Sequence, residues 1–425
     1  MARRVLLLLH RWAGLAMTLF LVIVGLTGSL LAFNSELERL ISPQFYAAER
    51  PDAPMLDLAT LAERAEALAP MARARSVSLA EPGQAMVWMI PRADPTGAEP
   101  KELGFNQLFL DPWTGAELGR RSWAELSEGW TNLMPFIYKL HFELALGMPG
   151  VWILGVVALV WTIDCFVGFY LTLPAGGALF WRRWGPAWLI RFRGGAFRLN
   201  FDLHRAGGLW LWAALLVFAW SSVYMNLWDT VYTWTTKAAL DYRPVWAELQ
   251  DAPKPLENPR LGWRAALAAG EGLMAEEAQK RGFVVERPFS LSYDAGKGVY
   301  VFEVRSSLDI RDKTGQTQIY LDGDTAALRL VALPTGQYSG NTVTSWLAGL
   351  HMAAVFGLPW RIFVCALGLA VVMLSVTGVY IWLKKRRARR RSASRRVVVK
   401  PAARAIFPPF RLPWPSRRSR LDNAP

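Results

Sequence analysis

The sequence predicts an α-helical membrane protein: four transmembrane helices arranged as two parallel repeats, each repeat carrying an extracytoplasmic α+β domain between its helices. Three observations predict this class. Apolar runs recur at about residues 7–33, 150–173, 206–228 and 361–383. Of the 425 residues, 53% are hydrophobic and 21 are tryptophan, which excludes an ordinary soluble domain and a low-complexity chain. Arginines, finally, gather beside one and the same end of every run. At about 1.5 Å per residue, a helix from His10 to Phe33 is roughly 35 Å long and crosses a ~30 Å hydrocarbon core.

The charge distribution orients the spans. The net charge of +14 is concentrated in Arg3 and Arg4, in Arg182, Arg183, Arg191, Arg193 and Arg198, and in the tail from Lys384 to Arg420. These clusters mark the inner side. The segment 34–130 has 9 basic and 15 acidic side chains, and 229–340 has 13 and 15, so both are expected outside with both termini inside. The tail run KKRRARRRSASRR is read as a stop-transfer or anionic-lipid contact, with no nucleic acid as partner. Cys165 and Cys365 both lie in apolar runs, so no disulfide framework or cysteine metal site is expected. The first run exceeds a signal peptide's apolar core and no small-x-small site follows it, so it is expected to stay as a span.

Taken in order, residues 1–33 form the first span and 34–131 the first outer domain. That domain has a helix over LDLATLAERAEALAP (56–70), strands in RSVSLAE and AMVWMIPR, and a strand, Asp, turn, strand unit in NQLFLDPWTGAELG (106–119). A lead-in and second span occupy 132–173, and a basic, Trp-rich loop lying on the membrane surface occupies 174–202. The third span is 203–228. The second outer domain, 229–341, repeats the order with GWRAALAAGEGLMAEEAQKRG (262–282), FSLSYDAG, GVYVFEVRS and TQIYLDGDTAALRL (317–330). A lead-in and fourth span follow at 342–383, then a basic tail, 384–425, expected to be disordered. Asp111 and Asp322 are expected to cap equivalent turns.

The repeats align directly. LHRWAGLAM from Leu9 matches LHRAGGLWL from Leu203, and KLHFELALGMPGVWILG from Lys139 matches GLHMAAVFGLPWRIFVC from Gly349. The offsets, 194 residues for His10 and His204 and 210 for His141 and His351, differ by the extra length of the second domain.

All four histidines of the chain stand at or just before a span. His10 and His204 begin outward-running helices near the inner face; His141 and His351 lead into returning helices near the outer face. Two pairs result, one per leaflet. Zinc or copper needs more ligands than a pair supplies, although Glu143 beside His141 keeps a metal option open. Haem needs two axial imidazoles and an apolar slot, so two bis-histidine haems b fit best, and the absence of CxxCH excludes the usual covalent attachment. Gly14, Gly207 and Gly208 either admit a flat macrocycle or serve helix packing. Arg11 and Arg205 either pair with haem propionates or snorkel to the interface. Asp164, inside the second span, is either functional or a helix-to-helix hydrogen bond. Six-coordinate haems at two depths would make an electron conduit.

At these residues the chain resembles the PepSY-associated transmembrane proteins of bacterial inner membranes. HRWAGLAMTLFLVIVGLTGSLL (10–31), LHRAGGLW (203–210) and LSVTGVYIWLKKRR (374–387) are similar to that family's motifs, while TIDCFVGFYLTLP (162–174), WRRWGPAW and FRLNFDLHRAGGLW look like its branch associated with ferric-siderophore reduction. The resemblance covers about residues 1–387. It implies two periplasmic PepSY-like domains, an inner-membrane location, and a haem-dependent oxidoreductase that passes electrons to ferric siderophores or related chelates for iron acquisition. It also implies that His10, His141, His204 and His351 ligate haem iron. Phe142 and Met352 follow two of these histidines where the family often has a basic or polar residue. No flavin or nicotinamide fingerprint is present, leaving a quinol or a cytoplasmic flavoprotein as donor. Two rivals remain at this stage: a non-enzymatic membrane module that binds or regulates a periplasmic partner, and a siderophore or metal transporter component.

Overall fold

The computed structural model describes residues 1–92, 102–177 and 179–398. Helix α1 (Ala2–Leu31) is one uninterrupted, predominantly apolar 30-residue rod, about 45 Å long. After Phe33 the chain turns into α2 (Asn34–Ile41). Asp57 then caps α3 (Leu58–Leu68), its Oδ1 accepting from the Thr60 amide at 2.7 Å. Strands β1 (Ala72–Glu81), β2 (Gln84–Pro91), β3 (Gln107–Leu110) and β4 (Glu117–Arg121) follow. Next come α4 (Leu133–Glu143), ended by Leu144 in the left-handed region, and α5 (Met148–Thr172). The short α6 (Phe180–Trp184) leads to α7 (Gly195–Trp210) and α8 (Trp212–Asn226). Two short helices, α9 (Thr233–Ala239) and α10 (Val245–Glu248), precede α11 (Trp263–Arg281). Strands β5 (Val285–Asp294), β6 (Val299–Ser306), β7 (Thr317–Asp322) and β8 (Leu328–Ala332) then lead to α12 (Ser339–His351) and α13 (Gly357–Val398).

By length and composition, α1, α5 and the Gly357–Arg391 part of α13 can each cross a membrane, and α7 with α8 makes a fourth span if the pair is taken together. This is a membrane protein. The third span differs from the straight rod expected from 206–228. Its two helices are bent by 71° at Leu211, three residues beyond the Gly207–Gly208 pair, a sequence feature that weakens a helix against bending. Helix α7 also begins at Gly195, inside the segment read as a surface loop. Helix α13 runs on to Val398, so the first part of the basic tail is helical; residues 399–425 lie outside the described residues. Small residues let α1 and α13 touch. A Cβ on Gly25 would lie 2.8 Å from the Gly368 carbonyl, and Ser29 Oγ donates to the Cys365 carbonyl at 2.9 Å.

The eight strands form one antiparallel sheet in the order β4-β3-β2-β1-β5-β6-β7-β8. The two outer segments are therefore joined edge to edge, β1 pairing with β5 through Ser76↔Ser292, Val77↔Leu291 and Ser78↔Ser290. Separately, β1 and β5 would each present an unpaired edge to solvent; together they bury Val77 and Leu291 completely. Helices α3 and α11 cover one face, burying Leu58, Leu61, Met274, Phe302 and Ile319 in a shared core. Links between the halves include Trp263 Nε1 to Glu66 Oε1 at 3.1 Å and Arg264 to Glu63 at 2.8 Å. Asp111 and Asp322 cap matching turns, accepting from the Trp113 and Asp324 amides at 2.8 and 3.1 Å.

Candidate functional site

His10 lies on α1 and His204 on α7, with ring centroids 6.1 Å apart and planes inclined by 57°. His141 on α4 and His351, the last residue of α12, stand 6.2 Å apart at 62°. The first pair lies at the arginine-rich end of the bundle and the second at the sheet end. Two imidazoles on opposite sides of one metal, with metal–nitrogen bonds of about 2.0 Å, have ring centres about 6 Å apart. Both pairs match that spacing.

In all four rings Nδ1 is the nitrogen held by the protein. His10 Nδ1 meets Asp164 Oδ1 and Oδ2 at 2.9 and 3.0 Å, and His204 Nδ1 meets the Leu374 carbonyl at 2.9 Å. Both partners only accept. His141 Nδ1 meets Thr27 Oγ1 at 2.9 Å, but that hydroxyl already donates to the Ile23 carbonyl at 2.7 Å, so toward the ring it accepts. His351 Nδ1 meets Ser221 Oγ at 2.7 Å, and Ser221 likewise donates to Phe218. Each neutral ring therefore carries its proton on Nδ1 and its lone pair on Nε2, the tautomer a metal ligand needs, with its outer nitrogen anchored.

Backbone and aromatic surfaces fix the rings. A Cβ on Gly168 would lie 3.5 Å from His10, one on Gly378 3.3 Å from His204, and one on Gly28 2.9 Å from His141. His351 instead stacks on Phe218 at 4.9 Å and 26°. Of the three glycines singled out from sequence, Gly207 packs against Met373, whereas Gly14 and Gly208 face open space beside the histidine pair's helices. Arg205 is engaged through Nη2 by Asp202 Oδ1 at 2.8 Å and the Pro186 carbonyl at 2.7 Å, while Arg11 lies over Trp12; the Nε of each is buried and unpartnered. Asp164 is the partner of His10 and bridges α5 to α1. Glu143 does not extend the sheet-side pair into a larger ligand set. Among the described residues, no group of three or more His, Cys, Asp or Glu converges.

A cavity of about 1390 Å³ opens on the sheet-side pair, lined by His141, His351, Tyr138, Trp161, Tyr224 and Arg311 among others. It exceeds the roughly 300–1,000 Å³ of ordinary small-ligand pockets. The ring spacing of both pairs and, at the sheet-side pair, this volume are compatible with haem held between two imidazoles.

Sequence reasoning missed the anchors, although a regularity marks them. Thr27 and Ser221 each follow their repeat's first histidine by 17 residues, and Gly168 and Gly378 follow the second histidine by 27. Asp164 and Leu374 likewise share an offset of 23.

The fold and the paired histidines define a polytopic helical membrane protein with a soluble-type antiparallel sheet at one end of the bundle. The sequence profile described as the PepSY-associated TM region matches residues 7–385, and the chain belongs to that family. A search of curated proteins finds no match.

Proposed function

We propose that the protein is a di-haem electron conduit, a haem-dependent membrane oxidoreductase that reduces ferric siderophores or related ferric chelates on the sheet side of the bacterial inner membrane. The observation that carries this reading is the spacing of the two pairs, 6.1 and 6.2 Å between ring centroids, with Nδ1 anchored in all four rings. When bound, haem b held by two imidazoles supplies one-electron transfer without an open coordination site.

The chain's own residues do the rest. His10 and His204 would hold the haem at the arginine-rich end, and His141 and His351 the one at the sheet end. Asp164, the Leu374 carbonyl, Thr27 and Ser221 keep each Nε2 deprotonated and aimed. Because His10 and Thr27 both lie on α1, 17 residues apart, the two levels are set about 25 Å apart along one rigid helix. The distribution of arginines supports both termini in the cytoplasm and the sheet in the periplasm. A quinol or a cytoplasmic flavoprotein suits the arginine-rich end as donor. Arg11, which makes no hydrogen bond or ion pair through its side chain among the described residues, is better placed to meet a propionate than Arg205, whose Nη2 is held by Asp202 and the Pro186 carbonyl.

Haem-replete expression should give a Soret band and a haem-to-protein ratio of about two. His10→Ala and His204→Ala should each remove the same haem, and His141→Ala and His351→Ala the other. Protein without a Soret band would sink the proposal, as would loss of different haems within one pair. Sealed vesicles loaded with reductant should reduce an external ferric chelate without taking it up, which separates conduction from transport.

A further inference from the structure

The segment joining β6 to β7 overhangs the sheet-side cavity and contains four buried polar atoms with no partner: Arg311 Nε, Thr314 Oγ1 and Gln316 Oε1, on residues that line the cavity, and Asp309 Oδ1, on one that does not. Arg311 makes no ion pair among the described residues, although the residue is half-buried and its Nε is sealed from water. The acidic groups around it make their hydrogen bonds elsewhere. Glu303 is held by Ser290 Oγ at 2.9 Å and Gln318 Nε2 at 3.0 Å, and Asp309 accepts through Oδ2 from the Ser306 amide at 2.8 Å and Thr317 Oγ1 at 3.0 Å, its Oδ1 buried off the cavity wall without a partner. Glu81, also on the cavity wall, takes the Ser35 hydroxyl. Asp312, also on the cavity wall, binds the chain after His351.

That binding places Arg311 firmly. Asp312 donates its amide to the Ala354 carbonyl at 2.7 Å, and its Oδ2 accepts from the Gly357 amide at 2.7 Å, so the segment is fastened to the turn between α12 and α13. Ile310 packs against Gly349, two residues before His351. The Arg305 guanidinium holds the Arg311 carbonyl. Arg311 is thereby fixed within electrostatic reach of Tyr138 and Tyr224. Tyr138 lies one turn before His141, and Tyr224 one turn after Ser221, the anchor of His351. Neither phenol makes a hydrogen bond among the described residues. A charged donor, two phenols and two further unsatisfied polar groups thus converge above the sheet-side histidines.

We propose that residues 310–316 form a receptor for an anionic oxygen group, a carboxylate or phenolate, with Arg311 as the residue that contacts it beside the His141–His351 pair. An arginine keeps its charge in any such setting and grips paired oxygens with two parallel hydrogen bonds. This rests on the conduit reading for its role, since the anion is supplied either by a propionate of the haem held by that pair or by the ferric chelate itself. Lys313, exposed on the cavity rim, adds a second positive charge at the entrance.

The test uses full-length protein in lipid nanodiscs and two redox-inert probes, gallium(III) citrate, which is anionic, and gallium(III) tris-acetohydroxamate, which is neutral. Binding is followed by tryptophan fluorescence and haem by absorbance. If the chelate is the anion, Arg311→Gln weakens citrate-complex binding by about tenfold or more, leaves the neutral complex within about twofold, and leaves the haem ratio unchanged; Arg311→Lys retains part of the affinity, and Lys313→Gln loses less. If a propionate is the anion, Arg311→Gln lowers the content or shifts the midpoint of the sheet-side haem, again with partial rescue by lysine. Unchanged citrate binding together with unchanged haem content and midpoint overturns the proposal. Gallium binding needs no electron transfer, so absence of a Soret band would end the conduit reading and leave the citrate arm standing on its own.

Discussion

Asp164 and Leu374 occupy the same position after their repeats' second histidines, yet one offers a carboxylate and the other only a backbone carbonyl. On the proposed function, the carboxylate would make His10 the more electron-rich ligand and favour ferric iron there. On the proposed function, Asp164→Asn keeps an acceptor but removes the charge, and should raise the midpoint of the haem at the arginine-rich end by about 60 mV, a tenfold change, while the other stays put. An optical redox titration measures this; an unmoved midpoint would reduce Asp164 to an orienting group. Gly28 offers a second test. A methyl there would sit 2.9 Å from the His141 ring, closer than a real Cβ approaches, so Gly28→Ala should displace the ring and deplete the sheet-side haem alone. Haem content of the purified variant decides it.

At the scale of elements, the helices that carry the histidines are not all spans. His141 lies in the last turn of α4 and His351 ends α12, both short helices ahead of the returning spans, and His204 sits on α7 before the 71° bend. In the sheet layer, α11 closes with Glu277 bridged by Arg281 at 2.6 Å and Lys280 at 3.3 Å. The Arg281 hydrogen bond holds the Glu277 carboxyl below its usual 4.5. A depressed carboxylate stabilises fully above its unfolded value and loses that contribution as pH falls through the folded one. Glu277→Gln should therefore cost up to about 1 kcal/mol near neutrality and narrow to nothing in acid, with both partners partly solvated. Thermal melts at pH 7 and pH 3.5 compare the two; a constant difference would contradict the linkage. Asp57→Ala, which removes the α3 cap, should cost about 1 kcal/mol at both pH values.

For the whole molecule, the β1–β5 pairing makes the two outer segments one body resting on the bundle. Directly opposed residues in an antiparallel pair have Cα atoms about 4.5–5.5 Å apart, within disulfide reach. The double variant Ser76→Cys, Ser292→Cys should oxidise to an intramolecular crosslink, identified by mass spectrometry of the linked peptides. Two independently hinged domains would fail to give it efficiently. Leu291→Ala, at a fully buried position on this seam, should cost about 2–5 kcal/mol and split one sheet transition into two.

Much of this was legible in the sequence. Apolar length, arginine bias and strand alternation are local properties, so the spans at 7–33, 150–173 and 361–383, the helix at 262–282 and the strand units around Asp111 and Asp322 can be read from residue order alone. The four histidines were legible as candidates because they are rare and stand at span ends. What the tertiary structure decided is everything that depends on which surfaces meet: the 6.1 and 6.2 Å ring pairs, the Nδ1 anchors on Thr27, Ser221, Asp164 and Leu374, the placement of Arg311 above the sheet-side pair, and the fusion of eight strands into one sheet. Such contacts join residues more than a hundred positions apart, and hydropathy, a sum over neighbours along the chain, has no record of them. The bend at Leu211 falls between the two cases, since a glycine pair permits it locally but only packing against α5 and α13 selects its direction.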